Sequence, residues 1–258
     1  MASQISEEEM RDQDVIEAFV VFLRGIGFPN LMVDRWPDEE NRQTKEIDAI
    51  AGPFAIEHTS IDSIPHQHRN DDWYLRVAGG LEQEFSDSVD FHLSVILEYD
   101  AIKKGQDWDK LRAALKSWVS SNAFELPYGW HDMILPVDPP LSSPFRLRVR
   151  KWKEGPRGVF FPRFAPPEDK TLSERIRKIL DRKGAKLAKY QRPGTTTVLL
   201  VENDDIALMN EAIMLSAIRE AYPNGLPDGV DKLWFADTSI PENPRFCDFT
   251  SGIVGVCY

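Results

Sequence analysis

Apolar positions recur along this chain with two different periods. Val15, Phe19, Phe22 and Leu23 fall three and four residues apart, which is the spacing of one helical face and predicts an amphipathic helix over 6–24. Ser6 with Glu9 forms a capping-box pattern, Glu7 and Glu8 suit the positive end of a helix, and Gly25 and Gly27 end it. Residues 28–45 are polar and loop-like around Trp36-Pro37-Asp38. Two short runs of strand-forming residues then flank Gly52-Pro53, predicting a hairpin over 46–61. A polar loop at 62–71 leads to a helix over 72–86, carried by Trp73, Leu75, Val77, Leu81 and Phe85.

A buried strand is predicted over 90–98 and a helix over 107–121, through Trp108, Leu111, Leu115, Trp118 and Val119. Residues 122–144 are rich in Pro and aromatics and carry no clear period. Two strands, Phe145 to Lys153 and Gly158 to Phe164, meet at a Gly-Pro turn. A basic helix over 171–190 opens on Thr171 with Glu174 three residues on. The run Thr195–Val201 predicts a buried strand, 205–221 a helix, 232–236 a core strand and 253–257 a short terminal strand. Helices and strands interleave, so the fold class is α/β or mixed α+β. We read 1–258 as one domain, with the Pro-rich 136–144 segment as the one candidate subdomain break.

Composition narrows the class. Apolar content of 42% and charged content of 28% suit a globular core. No apolar run approaches a membrane span of about 20 residues, and the first apolar run follows acidic residues, unlike a signal peptide. Two cysteines, Cys247 and Cys257, are too few for a disulfide framework, so a cytoplasmic location is expected. A net charge of −11 argues against nonspecific coating of nucleic acid. The charge is uneven, however: 146–192 holds 16 Lys/Arg against 5 Asp/Glu. That segment is a candidate phosphate-facing surface, with Arg146, Arg148, Arg150, Lys183 and Lys189 as its contacts. A solvated helix and hairpin paired with acidic neighbours is the alternative.

The candidate chemistry sits in the hairpin. Asp48 and Glu57 lie on opposite sides of the Gly52-Pro53 turn, so antiparallel pairing brings their carboxylates together. Such an oxygen-rich pair suits Mg²⁺ or Mn²⁺. Alternation puts Thr59 on the face of Glu57 and Ile56 on the other. Asp48 pointing to solvent from a half-exposed strand is the competing reading.

In the order helix, Asp-bearing strand, turn, Glu-bearing strand, helix and strand, the chain resembles the PD-(D/E)XK, restriction-endonuclease-like nucleases. Asp48 matches the motif's Asp, Glu57-His58-Thr59 takes the place of Glu-x-Lys, and Glu17 matches an acidic residue of the first helix. Lys183, Lys186, Tyr190 and the Val/Leu strand at 197–201 resemble members whose motif reads Glu-x-Thr. The resemblance implies a three-layer restriction-endonuclease-like core, a central mixed β-sheet flanked by helices, with additional strands and helices. It implies metal at Asp48 and Glu57, and catalytic roles for Asp48, Glu57, Thr59, Lys186 and Glu17. The departure is Thr59, which has no charge to offer where the motif has lysine. Lys183 or Lys186 could then reach in from the helix; Lys45, three residues before Asp48, would point to the other face of an extended strand unless the strand begins after it.

Other chemistries are less supported. His58, His66 and His68 cluster with Asp62, and His66 and His68 on a strand would share a face, a candidate zinc or transition-metal site. Arg42 and Gln43 are candidate phosphate contacts or plain loop residues. No Gly-x-Ser-x-Gly elbow, P-loop or Gly-x-Gly-x-x-Gly is present. Trp152, between Lys151 and Lys153, is a candidate for base stacking, with core packing as the alternative. The expectation is a metal-dependent nuclease acting on DNA or RNA, away from membranes. The alternative is an inactive module of the same fold that binds nucleic acid or a protein.

Overall fold

The computed structural model describes residues 10–41, 46–85, 89–137, 144–166, 169–250 and 256–257. In chain order its first elements are α1 (Asp12–Gly25), α2 (Pro37–Glu40), β1 (Ala49–Ala51), β2 (Phe54–Ser60), α3 (Gln67–Ala78), α4 (Leu81–Phe85) and β3 (His92–Leu97). Next come α5 (Trp108–Asn122), β4 (Gly129–Leu135), β5 (Phe145–Trp152), β6 (Gly158–Phe160) and α6 (Leu172–Leu187), with a 3-10 turn at Ala188–Tyr190. The chain closes with β7 (Thr196–Asn203), α7 (Glu211–Ala221), β8 (Lys232–Asp237), β9 (Arg245–Asp248) and β10 (Val256–Cys257). The protein is mixed α/β, with two mixed sheets flanked by helices. It forms two compact units, one from 1–63 with 169–258 and one from 64–168.

The first unit holds a sheet in the order β1-β2-β7-β8-β9-β10. β2, β7 and β8 run parallel, and β1, β9 and β10 pair antiparallel with their neighbours. Both faces are covered. Val198 and Leu200 of β7 pack with Val15, Ile16, Phe19 and Val20 of α1. Leu199 and Val201 pack on the other face with Ile176 and Leu180 of α6 and Met214 and Ile218 of α7. Burial on both faces is why β7 reads as an unbroken apolar run rather than an alternation. Gly52, at φ +51, makes the turn between β1 and β2.

The second unit holds a sheet in the order β4-β5-β3-β6. β5 pairs antiparallel with both β4 and β3, and β6 runs parallel to β3. Leu93, Val95, Leu147 and Val149 pack with Val77 of α3, Leu81 of α4 and Leu111 and Leu115 of α5. Asp107 caps α5, its Oδ1 accepting from the Lys110 amide at 3.1 Å.

Several boundaries moved from their sequence positions. The predicted 72–86 helix starts earlier, at Gln67, and breaks at Gly79-Gly80, where Gly80 takes φ +75. The period-two pattern of β4 went unread inside the Pro-rich 122–144 segment, and β9 was not foreseen. α7 starts at Glu211, where the Asn210 side chain caps Ile213, so 205–210 is not helical. The two compact units divide at 63/64 and 168/169. Ser6 and Glu9, Arg42, Gln43 and Lys45, and 138–143 of the Pro-rich segment lie outside the described residues. The helix instead opens at Arg11, whose amide donates to Asp14 Oδ2 at 3.2 Å.

Candidate functional site

The hairpin register brings Asp48 and Glu57 together. Ala49 pairs with Ile56, which sets Asp48, just before β1, beside the Glu57–His58 end of β2. The Asp48 Oδ2 accepts from the His58 amide at 2.6 Å. Glu57 is fully buried. Burial pushes its carboxyl above the usual range, and the Asp48 charge adds to that rise. The two carboxylates therefore feel each other across the hairpin.

Two lysines from α6 answer the buried charge. Lys183 and Lys186 stand three apart on the helix and so share a face. Lys183 Nζ donates to Glu57 Oε1 at 2.5 Å and to the His58 carbonyl at 2.7 Å. Lys186 Nζ donates to Glu57 Oε1 at 2.9 Å and to the Glu46 carbonyl at 2.9 Å. Glu57 Oε2, also buried, has no hydrogen-bond partner among the described residues. Tyr190 extends the group: its hydroxyl donates to Glu46 Oε2 at 2.5 Å. Burial and Glu46 push the Tyr190 phenol up to about 12.

The opposite face of β2 carries a second polar cluster. His58, alternating with Glu57, is buried with Nε2 3.0 Å from Glu202 Oε2 and Nδ1 3.5 Å from Asp12 Oδ1. Thr238 donates to Glu202 Oε1 at 2.6 Å. Desolvation alone would lower the imidazole's pKa, but the two carboxylates outweigh it and raise the pKa to about 9. The ring is therefore cationic at neutral pH. Asp12, His58 and Glu202 each offer a ligand atom within 4.8 Å of the others. An imidazolium opposes metal binding, since a ligating nitrogen must first lose its proton.

Asp48 also lines a cleft of about 340 Å³ with Asp12, Asp38, Glu39 and Trp36. Four carboxylates share this mouth with the Arg11 guanidinium, leaving it acidic on balance.

The remaining expected residues fall elsewhere. Thr59 is half-buried, with its hydroxyl 3.5 Å from the Ser60 carbonyl. Glu17 is exposed on α1, and it is Asp12 that this helix brings to β2. Lys189 is exposed on the 3-10 turn. Arg146, Arg148 and Arg150 are exposed on β5, in the second unit, so the basic 146–192 segment is divided between two units. His66 and His68 are not on a strand. His66 precedes α3 at φ +64 and His68 lies within it. Among the described residues they join no group of three ligating side chains.

Asp12 and Glu202 were missed from the sequence. Glu202 ends the apolar run of β7, an acid where a buried strand disfavours one, and that was the available signal. Asp12 carried none, being one of several acids at a helix start. The chain matches no known family model, no curated protein and no solved structure.

Proposed function

We propose that the first unit is a metal-dependent phosphodiesterase with a restriction-endonuclease-like centre, acting on DNA or RNA through Asp48 and Glu57. The observation that carries this reading is the meeting of Lys183 and Lys186 with Glu57. It supplies from α6 the positive charge that Thr59 lacks.

The residues fit a hard divalent ion. Asp48 and Glu57 offer carboxylate oxygens, and the Glu57 Oε2 is a buried acceptor with no donor among the described residues. Mg²⁺ or Mn²⁺, held by Asp48 and Glu57, would supply Lewis-acid polarisation of a phosphoryl oxygen and would acidify water. The chain's own groups do the rest. Asp48 is oriented by the His58 amide. Lys183 and Lys186, anchored on the His58 and Glu46 carbonyls, oppose the rise that burial gives the Glu57 carboxyl and would hold positive charge where a phosphate's negative charge grows.

Cleavage of mixed DNA and RNA substrates with Mg²⁺ or Mn²⁺ tests the reading, with Asp48→Ala as control. Metal-dependent cleavage that the control lacks supports it. Absence of cleavage in the wild type overturns it. Thr59 in the lysine position favours a second reading, an inactive module of the same fold that binds nucleic acid or a protein partner.

A further inference from the structure

The second unit leaves one sheet face uncovered by its helices. Along β5 the apolar Leu147 and Val149 turn to the core, and Arg146, Arg148 and Arg150 turn out. Strand register builds a row across all four strands. Trp130 of β4 stands opposite Arg150, Arg150 opposite Ser94 of β3, and Ser94 opposite Phe160 of β6. Beside that row, Trp152 stands opposite His92.

These side chains stack. The Arg150 guanidinium lies 4.4 Å from the Trp152 ring centroid and 5.1 Å from that of Trp130. The His92 ring stacks on Trp152 at 3.7 Å and on Phe160 at 4.4 Å. His92 Nδ1 is 2.8 Å from the Pro156 carbonyl, which can only accept, so Nδ1 carries a proton. Nε2 is 3.1 Å from Ser94 Oγ and accepts from that hydroxyl. Burial, and the nearby Arg150, push the imidazole's pKa down. His92 is therefore an uncharged ring of fixed orientation.

Two features exceed what covering a sheet requires. Trp130 is 57% exposed, and Ile134 on the same face is 62% exposed. Arg146 and Arg150 have no carboxylate partner among the described residues, whereas Arg148 pairs with Asp132 at 2.9 Å. An exposed indole beside Arg150, with Arg146 opposite Ile134 on the same face and a bed of stacked rings, complements a polymer of flat bases on an anionic backbone. Duplex nucleic acid hides its base faces, and a single strand presents them.

We propose that the open face of this sheet binds single-stranded nucleic acid, with a base stacked on Trp130 and phosphates met by Arg150 and Arg146. The proposed site lies within the second unit and uses neither Asp48 nor Glu57, so it stands whether or not those residues cleave.

Binding of fluorescent mixed-sequence single-stranded oligonucleotides, with DNA and RNA in separate arms and duplex as competitor, tests this in EDTA. Chelation silences metal-dependent cleavage, so failure here leaves the cleavage reading intact, and failure of cleavage leaves this one intact. The expected result is single-strand binding that quenches tryptophan fluorescence and that duplex competes for poorly. Trp130→Ala should weaken it about tenfold, and Trp130→Phe should keep most of it. Arg150→Gln should weaken it and reduce its salt dependence. Should Trp130→Ala lose the wild-type melting transition, Arg150→Gln and Trp130→Phe carry the test. No binding to single strands, or binding that Arg150→Gln and a folded Trp130→Ala leave unchanged, overturns the proposal.

Discussion

Lys186 Nζ lies 2.9 Å from Glu57 Oε1, joining a helix to the buried face of a strand 129 positions away in the chain. The same oxygen also accepts from Lys183. One buried carboxylate thus organises the contact between α6 and β2.

Removing both lysines should destabilise the protein strongly. Glu57 would be left buried without a compensating charge, or be forced to take up a proton. We expect Lys183→Met with Lys186→Met to cost about 3 kcal/mol, read from urea unfolding. Each single change should cost less than half of this, because the remaining ammonium still serves the same oxygen. Equal, additive single effects would contradict the shared-partner arrangement.

Gly184 lies between those lysines on α6 and admits no side chain. A Cβ there would sit 2.5 Å from the Asp228 backbone oxygen. Gly184→Ala must push the helix away from the 227–229 loop, at a cost of about 1–3 kcal/mol. Because Lys183 and Lys186 move with the helix, any metal-dependent cleavage should fall further than the melting temperature suggests. Activity assayed well below the transition separates the two effects.

The second unit should lose stability in mild acid through His92. Its folded pKa lies below the ordinary value of 6.5, because burial and Arg150 disfavour the charged ring. A group depressed in the folded state stabilises fully above its unfolded pKa and loses that contribution as pH falls through the folded value. Stability should therefore hold above about pH 6.5 and decline below it. His92→Asn should flatten that decline, as thermal melts across the range would show.

Lys151 offers a test of a buried amine. It alternates onto the core face of β5, and its Nζ donates to the Ala123 and Phe124 carbonyls at 2.8 and 2.9 Å. Those carbonyls follow the last turn of α5, where cations are favoured. Lys151→Met keeps the length of the side chain but removes both donors. The expected loss is about 1–3 kcal/mol, measurable by chemical denaturation. No loss would mean that burial of the amine, which lowers its pKa, costs as much as the bonds return.

The sequence by itself determined the elements whose side chains carry a strong period. α1 and α5 followed from apolar spacing, β7 from an unbroken apolar run, and the hairpin from two runs of strand formers around Gly52-Pro53, because local sterics and burial act within a few residues. Asp48 and Glu57 were legible for the same reason, since a turn pairs its own flanks. β4 was not, because its alternation is short and sits among prolines, and its pairing with β5 is what makes it a strand.

Only the tertiary structure decided that Lys183 and Lys186 both reach the same Glu57 oxygen, that Asp12 rather than Glu17 meets β2, and that His58 is held as a cation. Those contacts join residues far apart in sequence through sheet register and helix rotation. The division into two units is of the same kind. It depends on which apolar faces share a core, and 64–168 builds its own around Leu93, Leu147 and Leu111. Burial then sets the chemistry, since a carboxylate or an imidazole takes its charge state from neighbours that the linear order does not name.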